Sequence, residues 1–226
     1  MATIKVFNND ENRMETFYRS ESESMPYVTG NTLTVREFRG SSKSDLLWTE
    51  KRAMQAWNSF RFMHGKPIYF GFAFKRPYEG GHGQQSQHYA GVAFDLAQNL
   101  NNAGRAELRT LAYSSKLWGY VEPVSLSPTW VHVDRRRGTA ACASGGYPIQ
   151  RRGSIGAYVL ILQDALNKMG HSTNGLDGVF GPGTERAVRA YQSSKSLTSD
   201  GVVGCQTWSN IMYQVVGKYA QLDPVD

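Results

Sequence analysis

A histidine and an aspartate enclose a run of small and apolar residues in the segment SQHYAGVAFD, residues 86–95. His88 and Asp95 are both costly to bury unless a partner replaces the water that they lose. Imidazole nitrogen and carboxylate oxygen are zinc ligands, and a catalytic zinc site usually has three protein ligands and one position open to water. The segment TWVHVD supplies His132 as a third candidate. These residues predict a zinc site, with a buried histidine hydrogen-bonded to a carboxylate as the alternative.

Two short segments must position these side chains. TWVHVDR alternates in polarity, which predicts a strand with His132 and Asp134 on one face. HYAGVAFDLA is apolar and predicts a buried strand. A turn at Gly91 would let the histidine and the aspartate on either side of it point to one ion.

The rest of the first 137 residues mixes strand and helix patterns. WTEKRAMQAWNSFRFMHG has apolar residues at helical spacing and a glycine stop at Gly65, and NAGRAELRTLAYSSKLWG predicts a second helix. NTLTVREFRG and KPIYFGFAF are rich in β-branched and aromatic residues and predict strands. Because these elements interleave without a strand–helix–strand rhythm, we predict an α+β domain over residues 1–137.

The character of the chain changes after this domain. Residues 138–153 are rich in Gly, Ser and Arg and lack periodicity, which predicts a linker. The segments GAYVLILQDALNKMG, GTERAVRAYQSSKS and CQTWSNIMYQVVGKY then each predict a helix. Residues 154–226 are therefore predicted to form a small all-α domain of three helices.

An internal repeat connects these helices. DGVFGPGT at Asp177 recurs as DGVVGCQT at Asp200. In both copies an Asp-Gly turn is followed by an apolar pair that can enter the core. A threonine follows, Thr184 or Thr207, which is a candidate cap for the next helix.

The composition is that of an ordinary globular protein, with 40% hydrophobic and 19% charged residues in 226. A formal net charge of +6 favours anionic partners such as nucleic acid, acidic lipid or an anionic wall polymer. Two cysteines, Cys142 and Cys205, exclude a disulfide framework and leave a single bridge open. The N-terminus lacks a signal-peptide core and no stretch approaches the ~20 apolar residues of a membrane helix, so neither is expected.

The run GAYVLILQDALNKMG…DGVFGPGTERAVRAYQ…DGVVGCQTW resembles the three-helix peptidoglycan-binding domain of bacterial cell-wall hydrolases. The resemblance extends in register over about residues 154–215 and includes both Asp-Gly turns and Trp208. It implies that the C-terminal domain binds peptidoglycan. A groove near the two Asp-Gly turns is the expected contact.

The segments SQHYAGVAFD and WVHVDRR are similar to the signature of the zinc D-Ala-D-Ala carboxypeptidases, a family that includes L-alanyl-D-glutamate endopeptidases of phage lysins. The family pattern Ser-x-His-x-x-Gly-x-Ala-x-Asp is matched at Ser86, His88, Gly91, Ala93 and Asp95. The resemblance implies a small antiparallel sheet flanked by helices, with Zn²⁺ on one face. The implied zinc ligands are His88, Asp95 and His132.

The resemblance also implies a cation that stabilises the oxyanion. Alignment on Pro77 puts Lys75 at its place, with Arg76 next to it, and ordinary surface charge is the alternative for both. The segment EGGHGQQ carries His82 in a glycine-rich loop, which either covers the cleft or is mobile surface.

A carboxylate should take the proton of the attacking water. The family acid lies three positions before the last histidine, where this chain has Thr129, and threonine cannot be a general base. Glu122 and Asp134 are the nearest carboxylates. We assign the role to Asp134, which shares a strand face with His132 and could instead orient that ligand or pair with a neighbouring arginine. Glu122 lies in a YVEP turn and is expected to be exposed.

Together these features predict a monomeric zinc peptidase that cuts peptidoglycan stem peptides as a D,D-carboxypeptidase or endopeptidase. Ser86 and Trp130 are predicted substrate contacts. A wall-binding protein that has lost activity is the alternative, which Thr129 favours. A nucleic-acid binder is the third class, and no helix-turn-helix, zinc finger or stacked aromatic motif supports it. We expect the protein at the bacterial wall or outside the cell, after lysis or phage- or spore-associated release.

Overall fold

The computed structural model describes residues 1–142 and 146–219. Within these residues the chain forms seven strands and six α-helices, with shorter helical turns between them. The strands and the first three α-helices belong to the N-terminal part, and the last three α-helices to the C-terminal part. The predicted α+β class is confirmed.

The chain begins with a sheet that the sequence patterns did not predict. Strands β1 (Ala2–Asn8) and β2 (Arg13–Arg19) form an antiparallel hairpin, and β3 (Leu46–Glu50) pairs with β1 in parallel. The strand order is β2-β1-β3. The small antiparallel sheet that the resemblance implies is therefore not this one, because β3 runs parallel to β1. A parallel pair is feasible because residues 20–45 return the chain to the same end of the sheet.

A second sheet carries the residues with candidate chemistry. Its antiparallel strands, in the order β4-β5-β7-β6, are β4 (Phe70–Phe72), β5 (Ala93–Leu96), β6 (Tyr120–Val121) and β7 (Val131–Asp134). The register puts Asp95 of β5 opposite His132 of β7. Opposite residues of an antiparallel pair project from the same face of the sheet. The two candidate ligands are therefore neighbours.

Three helices pack against these sheets: α1 (Val35–Arg39), α2 (Lys51–His64) and α3 (Asn102–Ser115). As predicted, α2 ends at Gly65, which has a φ of 70°. The strand predicted over NTLTVREFRG is wrong. Thr34 and Glu37 form a reciprocal capping box that starts α1 instead.

Aromatic side chains form the core behind the second sheet. Trp57 of α2 contacts Phe70 and Phe94 edge-on, with ring centroids 5.1 and 6.1 Å away. Trp118 packs against Phe94 at 5.6 Å. Trp57 and Phe94 are fully buried. The strands with the candidate ligands thus lie on a close-packed base that fixes their position.

The C-terminal part is helical, as predicted. It contains α4 (Ala157–Lys168), α5 (Pro182–Ser194) and α6 (Cys205–Met212), and a π-helical segment, Tyr213–Tyr219, continues α6. Residues 220–226 of the predicted domain lie outside the described residues. In the described part of the chain, no helix is long and apolar enough to cross a membrane.

The same hydrogen-bond network holds both copies of the internal repeat. The Gln163 side-chain amide donates to the Thr184 hydroxyl at 3.0 Å and to the aspartate of the first turn at 2.7 Å. The Gln192 amide donates to the Thr207 hydroxyl at 3.2 Å and to the aspartate of the second turn at 2.9 Å. The caps predicted at the two threonines are wrong, because α5 and α6 start after glycines and the threonines lie inside the first turn.

The C-terminal helices dock directly against the N-terminal part. Arg76 forms a two-point ion pair with Asp164 of α4, and both side chains are buried. Arg137 pairs with Glu50 at 2.8 Å and donates to the Ile155 carbonyl at 2.8 Å. These polar contacts thus connect the two parts of the chain.

The segment predicted as a linker is folded back where the structure describes it. Ala140 pairs with Pro148, and Tyr147 is fully buried. Residues 143–145 of this segment lie outside the described residues. Cys142 and Cys205 form the disulfide that the sequence left open, which ties the segment to the start of α6.

Candidate metal centre

A short helical turn and a glycine position the first candidate ligand. His88 lies in the 3₁₀ helix Gln87–Ala90, and the Ser86 hydroxyl accepts a hydrogen bond from the His88 amide at 3.3 Å. Gly91 ends the turn with a φ of 66°, and a Cβ there would lie 2.0 Å from the Trp48 carbonyl oxygen. Only glycine fits this approach. The chain therefore turns at once into β5, where the second ligand lies.

The three candidate ligands converge. His88 Nε2 lies 3.3 Å from Asp95 Oδ2, and His132 Nδ1 lies 2.7 Å from Asp95 Oδ1. One ligand atom from each residue lies within 4.8 Å of the others. The residues singled out by type and spacing are therefore brought to one point.

The second nitrogen of each histidine has a partner of its own. His88 Nδ1 donates to the Ala73 carbonyl at 2.9 Å, and His132 Nε2 lies 3.5 Å from Asp134 Oδ2. Metal-binding histidines commonly have such carbonyl or carboxylate partners, which fix the tautomer and the ring orientation. Two oriented imidazoles and a carboxylate are a donor set that fits Zn²⁺.

The electrostatics of the cluster favour a bound positive charge. Burial disfavours charge on Asp95, but hydrogen bonds from His132 and His88 outweigh it and hold the pKa of the carboxyl well below its usual range. Burial also disfavours the charged form of His132, but its hydrogen bonds to Asp134 and Asp95 raise the pKa of His132 to about 9. A proton or a metal cation is therefore stabilised between these carboxylates.

Asp134 supports a ligand and does not line the open side of the site. Its side chain is fully buried. Its carboxylate accepts hydrogen bonds from the Arg136 guanidinium and, at 3.0 Å, from the Arg136 amide. With both an arginine and His132 against it, Asp134 is placed to orient the imidazole.

Replacing Asp134 with asparagine is expected to weaken zinc binding about 10- to 100-fold, because His132 loses its anionic partner. The zinc dissociation constant is measured by competition with a chromogenic chelator. Arg136→Gln is the control. It breaks the ion pair between Asp134 and Arg136, as Asp134→Asn does, but it leaves the contact between Asp134 and His132. Its zinc affinity should stay within about threefold of the parent value, and an equal loss in both variants would contradict the orienting role.

The candidate ligands open into a cavity of about 510 Å³. The predicted substrate contacts Ser86 and Trp130 both line it. The other residues that line it are Gly81, His82, Gln98, Glu122 and Leu126. Gln98 was not selected from the sequence, because it belongs to no recognisable motif. Glu122 was expected to be an exposed turn residue, but it is half-buried and lines the cavity.

The glycine-rich loop around His82 contributes Gly81 and His82 to the lining of the cavity. The His82 ring lies 4.5 Å from both the His88 ring and the Phe72 ring, centroid to centroid. The Tyr89 hydroxyl donates to the His82 carbonyl at 3.2 Å and anchors the loop. Burial, followed by repulsion from His88, lowers the pKa of His82 to about 3, so this imidazole is neutral.

The two cations expected from the family alignment do not line this cavity. The Arg76 guanidinium is engaged by Asp164 on α4. The Lys75 ammonium lies 3.3 Å from the point where a Cβ on Gly81 would stand, and Gly81 lines the cavity. Arg76 is therefore engaged away from the cavity, whereas Lys75 lies beside a residue that lines it without lining it itself.

The C-terminal part of the chain is a peptidoglycan-binding domain. Residues 156–211 match the family model of the peptidoglycan-binding domain, and they span α4, α5 and most of α6. The match confirms the resemblance that the repeat carries. It does not extend to the second sheet, which holds the candidate metal centre.

The similarity to individual proteins, like the match to the family model, covers only part of the chain. A protein encoded in the bpoA1 3′ region of Kitasatospora aureofaciens is 37% identical over 75 residues, which is 31% of this chain and 64% of that protein. A peptidoglycan-binding protein of Clostridioides difficile, solved with glutamine hydroxamate, is 30% identical over 30% of this chain and 43% of its own, with a TM-score of 0.30. The SleB N-terminal domain is 36% identical over 30% of this chain and 92% of its own, with a TM-score of 0.29.

Proposed function

We propose that the chain is a zinc-dependent peptidase that hydrolyses bonds in peptidoglycan stem peptides at the bacterial cell wall, acting as a monomer. The supporting observation is the convergence of His88, Asp95 and His132 on one open cavity. Zn²⁺ held there would polarise a scissile carbonyl and lower the pKa of a water toward ~7. The peptidoglycan-binding domain supports the choice of substrate, because it would keep the cavity at the wall.

The remaining residues of the cavity would bind and orient the peptide. Trp130 offers an apolar face, and Ser86 offers a hydroxyl next to the His88 turn. Asp134 would keep His132 in the tautomer that presents Nδ1 to the ion. Lys75 and Arg76 have no part in this proposal, because neither lines the cavity.

A muropeptide digest tests the proposal. Zinc-loaded protein is incubated with purified peptidoglycan, and the released ends are analysed by mass spectrometry. New carboxyl and amino ends are expected with the wild-type chain and with His64→Ala, a histidine outside the cavity, but not with His88→Ala. If zinc-loaded wild-type protein sediments with peptidoglycan and releases no ends, the chain is a wall-binding protein without activity, and Thr129 is the first residue to examine.

We infer that wall contact occurs at the second Asp-Gly turn. At the first turn, a Cβ on Gly178 would lie 2.9 Å from Met14 Sδ of β2, so the N-terminal sheet covers this side. The second turn borders a groove of about 320 Å³, lined in part by the exposed residues Thr198 and Gln206. Hydroxyl and amide groups in an open groove suit the hydrogen-bonding groups of a glycan or a stem peptide.

Replacing Thr198 with arginine is expected to reduce the affinity for peptidoglycan about tenfold, which is about 1.4 kcal/mol of binding free energy, because the longer side chain fills the groove. Sedimentation with purified cell walls measures the bound fraction. Ser172→Arg is the matched control, since Ser172 is exposed in the loop before the covered first turn. Equal binding by both variants would move the wall contact away from this groove.

A further inference from the structure

A second acidic residue lines the cavity of the candidate metal centre and is not one of the candidate ligands. This residue is Glu122, and the strand register explains its position. Val121 of β6 pairs with Val133 of β7, so the next residue along, Glu122, comes opposite His132. The Glu122 amide donates to the His132 carbonyl at 3.0 Å, which extends the ladder by one residue.

Glu122 completes a row of residues across the sheet. Phe72 lies opposite Asp95, Asp95 lies opposite His132, and His132 lies opposite Glu122. Directly opposite residues share a face, with Cβ atoms about 4.5–5.5 Å apart. The Glu122 side chain therefore starts beside His132 on the face where the ligands converge, which agrees with its place in the cavity lining.

Hydrogen bonds hold the backbone of Glu122 on both sides. Besides the amide bond to β7, its carbonyl accepts from Arg109 Nε of α3 at 3.0 Å. Arg109 is buried, and its Nη2 also donates to the carbonyls of Ser127 at 2.9 Å and Trp130 at 2.7 Å. One arginine thus fixes the whole segment 122–130. A carboxylate on such a rigid backbone keeps the position that proton transfer requires.

The other oxygen-bearing candidates are less suited to take a proton from water. Asp134 is fully buried, and Arg136 and His132 occupy its carboxylate. Thr129, at the position of the family acid, is an exposed hydroxyl. Within the described parts of the chain, residues 1–142 and 146–219, no ion pair engages the half-buried Glu122 carboxylate.

We propose that Glu122 is the general base of the reaction, an inference that rests on the proposed peptidase function. Its carboxylate takes a proton from the attacking water while the water oxygen bonds to the carbonyl carbon of the peptide. The protonated carboxyl then gives this proton to the amide nitrogen as the carbon–nitrogen bond breaks. The products are one carboxyl end and one amine end, and Glu122 returns to its starting state. Glu122, which lies opposite His132 in the sheet, thus supplies the carboxylate that Thr129 lacks.

Glu122→Gln tests the assignment, with Glu107→Gln of α3 as the control, because Glu107 is an exposed glutamate outside the cavity. Each variant is assayed for three quantities: the rate of muropeptide cleavage, the zinc dissociation constant by chelator competition, and the affinity for intact muropeptides by calorimetry. For Glu122→Gln we expect cleavage to fall at least ~100-fold. Zinc and muropeptide affinities should stay within about threefold, since a glutamine keeps the shape of the site and loses only the base. Glu107→Gln should match the wild-type chain in all three.

The outcomes separate this inference from the peptidase proposal. If wild-type protein cleaves muropeptides and Glu122→Gln cleaves them within fivefold of its rate, Glu122 is not the base. If Glu122→Gln loses zinc or muropeptide affinity together with cleavage, its role is structural and the assignment is also overturned. If zinc-loaded wild-type protein cleaves nothing, the peptidase function itself fails. As a positive check, formate should restore part of the cleavage lost in Glu122→Ala, because it supplies a small carboxylate in the vacated space.

Discussion

Replacing Asp164 with alanine is expected to lower the free energy of unfolding of the chain by about 3–5 kcal/mol, because it leaves Arg76 buried without its partner. Arg76 Nε donates to Asp164 Oδ2 at 2.7 Å, and the side chains are only 10% and 4% exposed. The guanidinium also lies over the rings of Trp48 and Tyr78, at 5.0 and 5.1 Å from their centroids, so it cannot easily turn to solvent. Urea unfolding followed by tryptophan fluorescence measures the loss.

A second ion pair in the same chain provides the control. Arg39 and Asp45 are also joined at 2.9 Å, but Asp45 is 81% exposed. Asp45→Ala should therefore cost less than about 1 kcal/mol. The double variant Arg76→Met with Asp164→Leu should recover most of the lost stability, because it removes both buried charges together. A loss below about 1 kcal/mol in Asp164→Ala would show that docking of the two parts does not depend on this pair.

The same interface reaches the candidate metal centre. The Tyr158 hydroxyl of α4 donates to Gln87 Oε1 at 2.8 Å, and the Tyr147 hydroxyl donates to the Ser86 carbonyl at 2.7 Å. Both tyrosines are buried, and the residues that they hold directly precede His88. The peptidoglycan-binding domain therefore helps to shape the turn that carries a candidate ligand. Weakened docking should therefore reduce the order of the candidate metal centre as well as that of the interface.

The sequence was sufficient to predict those structural features that depend on interactions between neighbouring residues. Gly65 ends α2 because a left-handed residue is needed there, and the alternation in TWVHVDR indicates β7 because side chains of a strand alternate between faces. The Asp-Gly turns repeat because each copy forms the same hydrogen bonds. The convergence of His88 and Asp95 depends on one glycine between them, which the family pattern includes.

The sequence was insufficient to predict the role of a residue whose partner is distant along the chain. The sequence around Arg76, which precedes a proline, does not indicate whether the side chain faces a cavity or a distant partner. In the structure it faces a carboxylate 88 positions away. Glu122 reads as a turn residue, and only the pairing of β6 with β7 puts it beside His132. Strand register depends on contacts between segments, so it is not encoded in either segment alone.

Removing the disulfide between Cys142 and Cys205, by replacing both with serine, is expected to lower the free energy of unfolding by about 4 kcal/mol. The bridge closes a loop of 63 residues, which in the chain-entropy model restricts the unfolded chain by about this amount at 25 °C. Urea unfolding of the double serine variant measures the effect. Wild-type protein unfolded in the presence of a thiol reductant should show the same shift, and the reductant should not change the variant.

The folded state should survive this change, because other contacts hold the same segments. Trp208 Nε1 donates to the Pro148 carbonyl at 2.9 Å, and Gln150 pairs with Val203. Zinc affinity and peptidoglycan sedimentation at 25 °C should therefore match those of the wild-type chain, since the bridge acts mainly on the unfolded ensemble. An unchanged unfolding midpoint would contradict the prediction. Loss of wall binding by a folded variant would instead show that the bridge shapes the groove, which Cys205 lines.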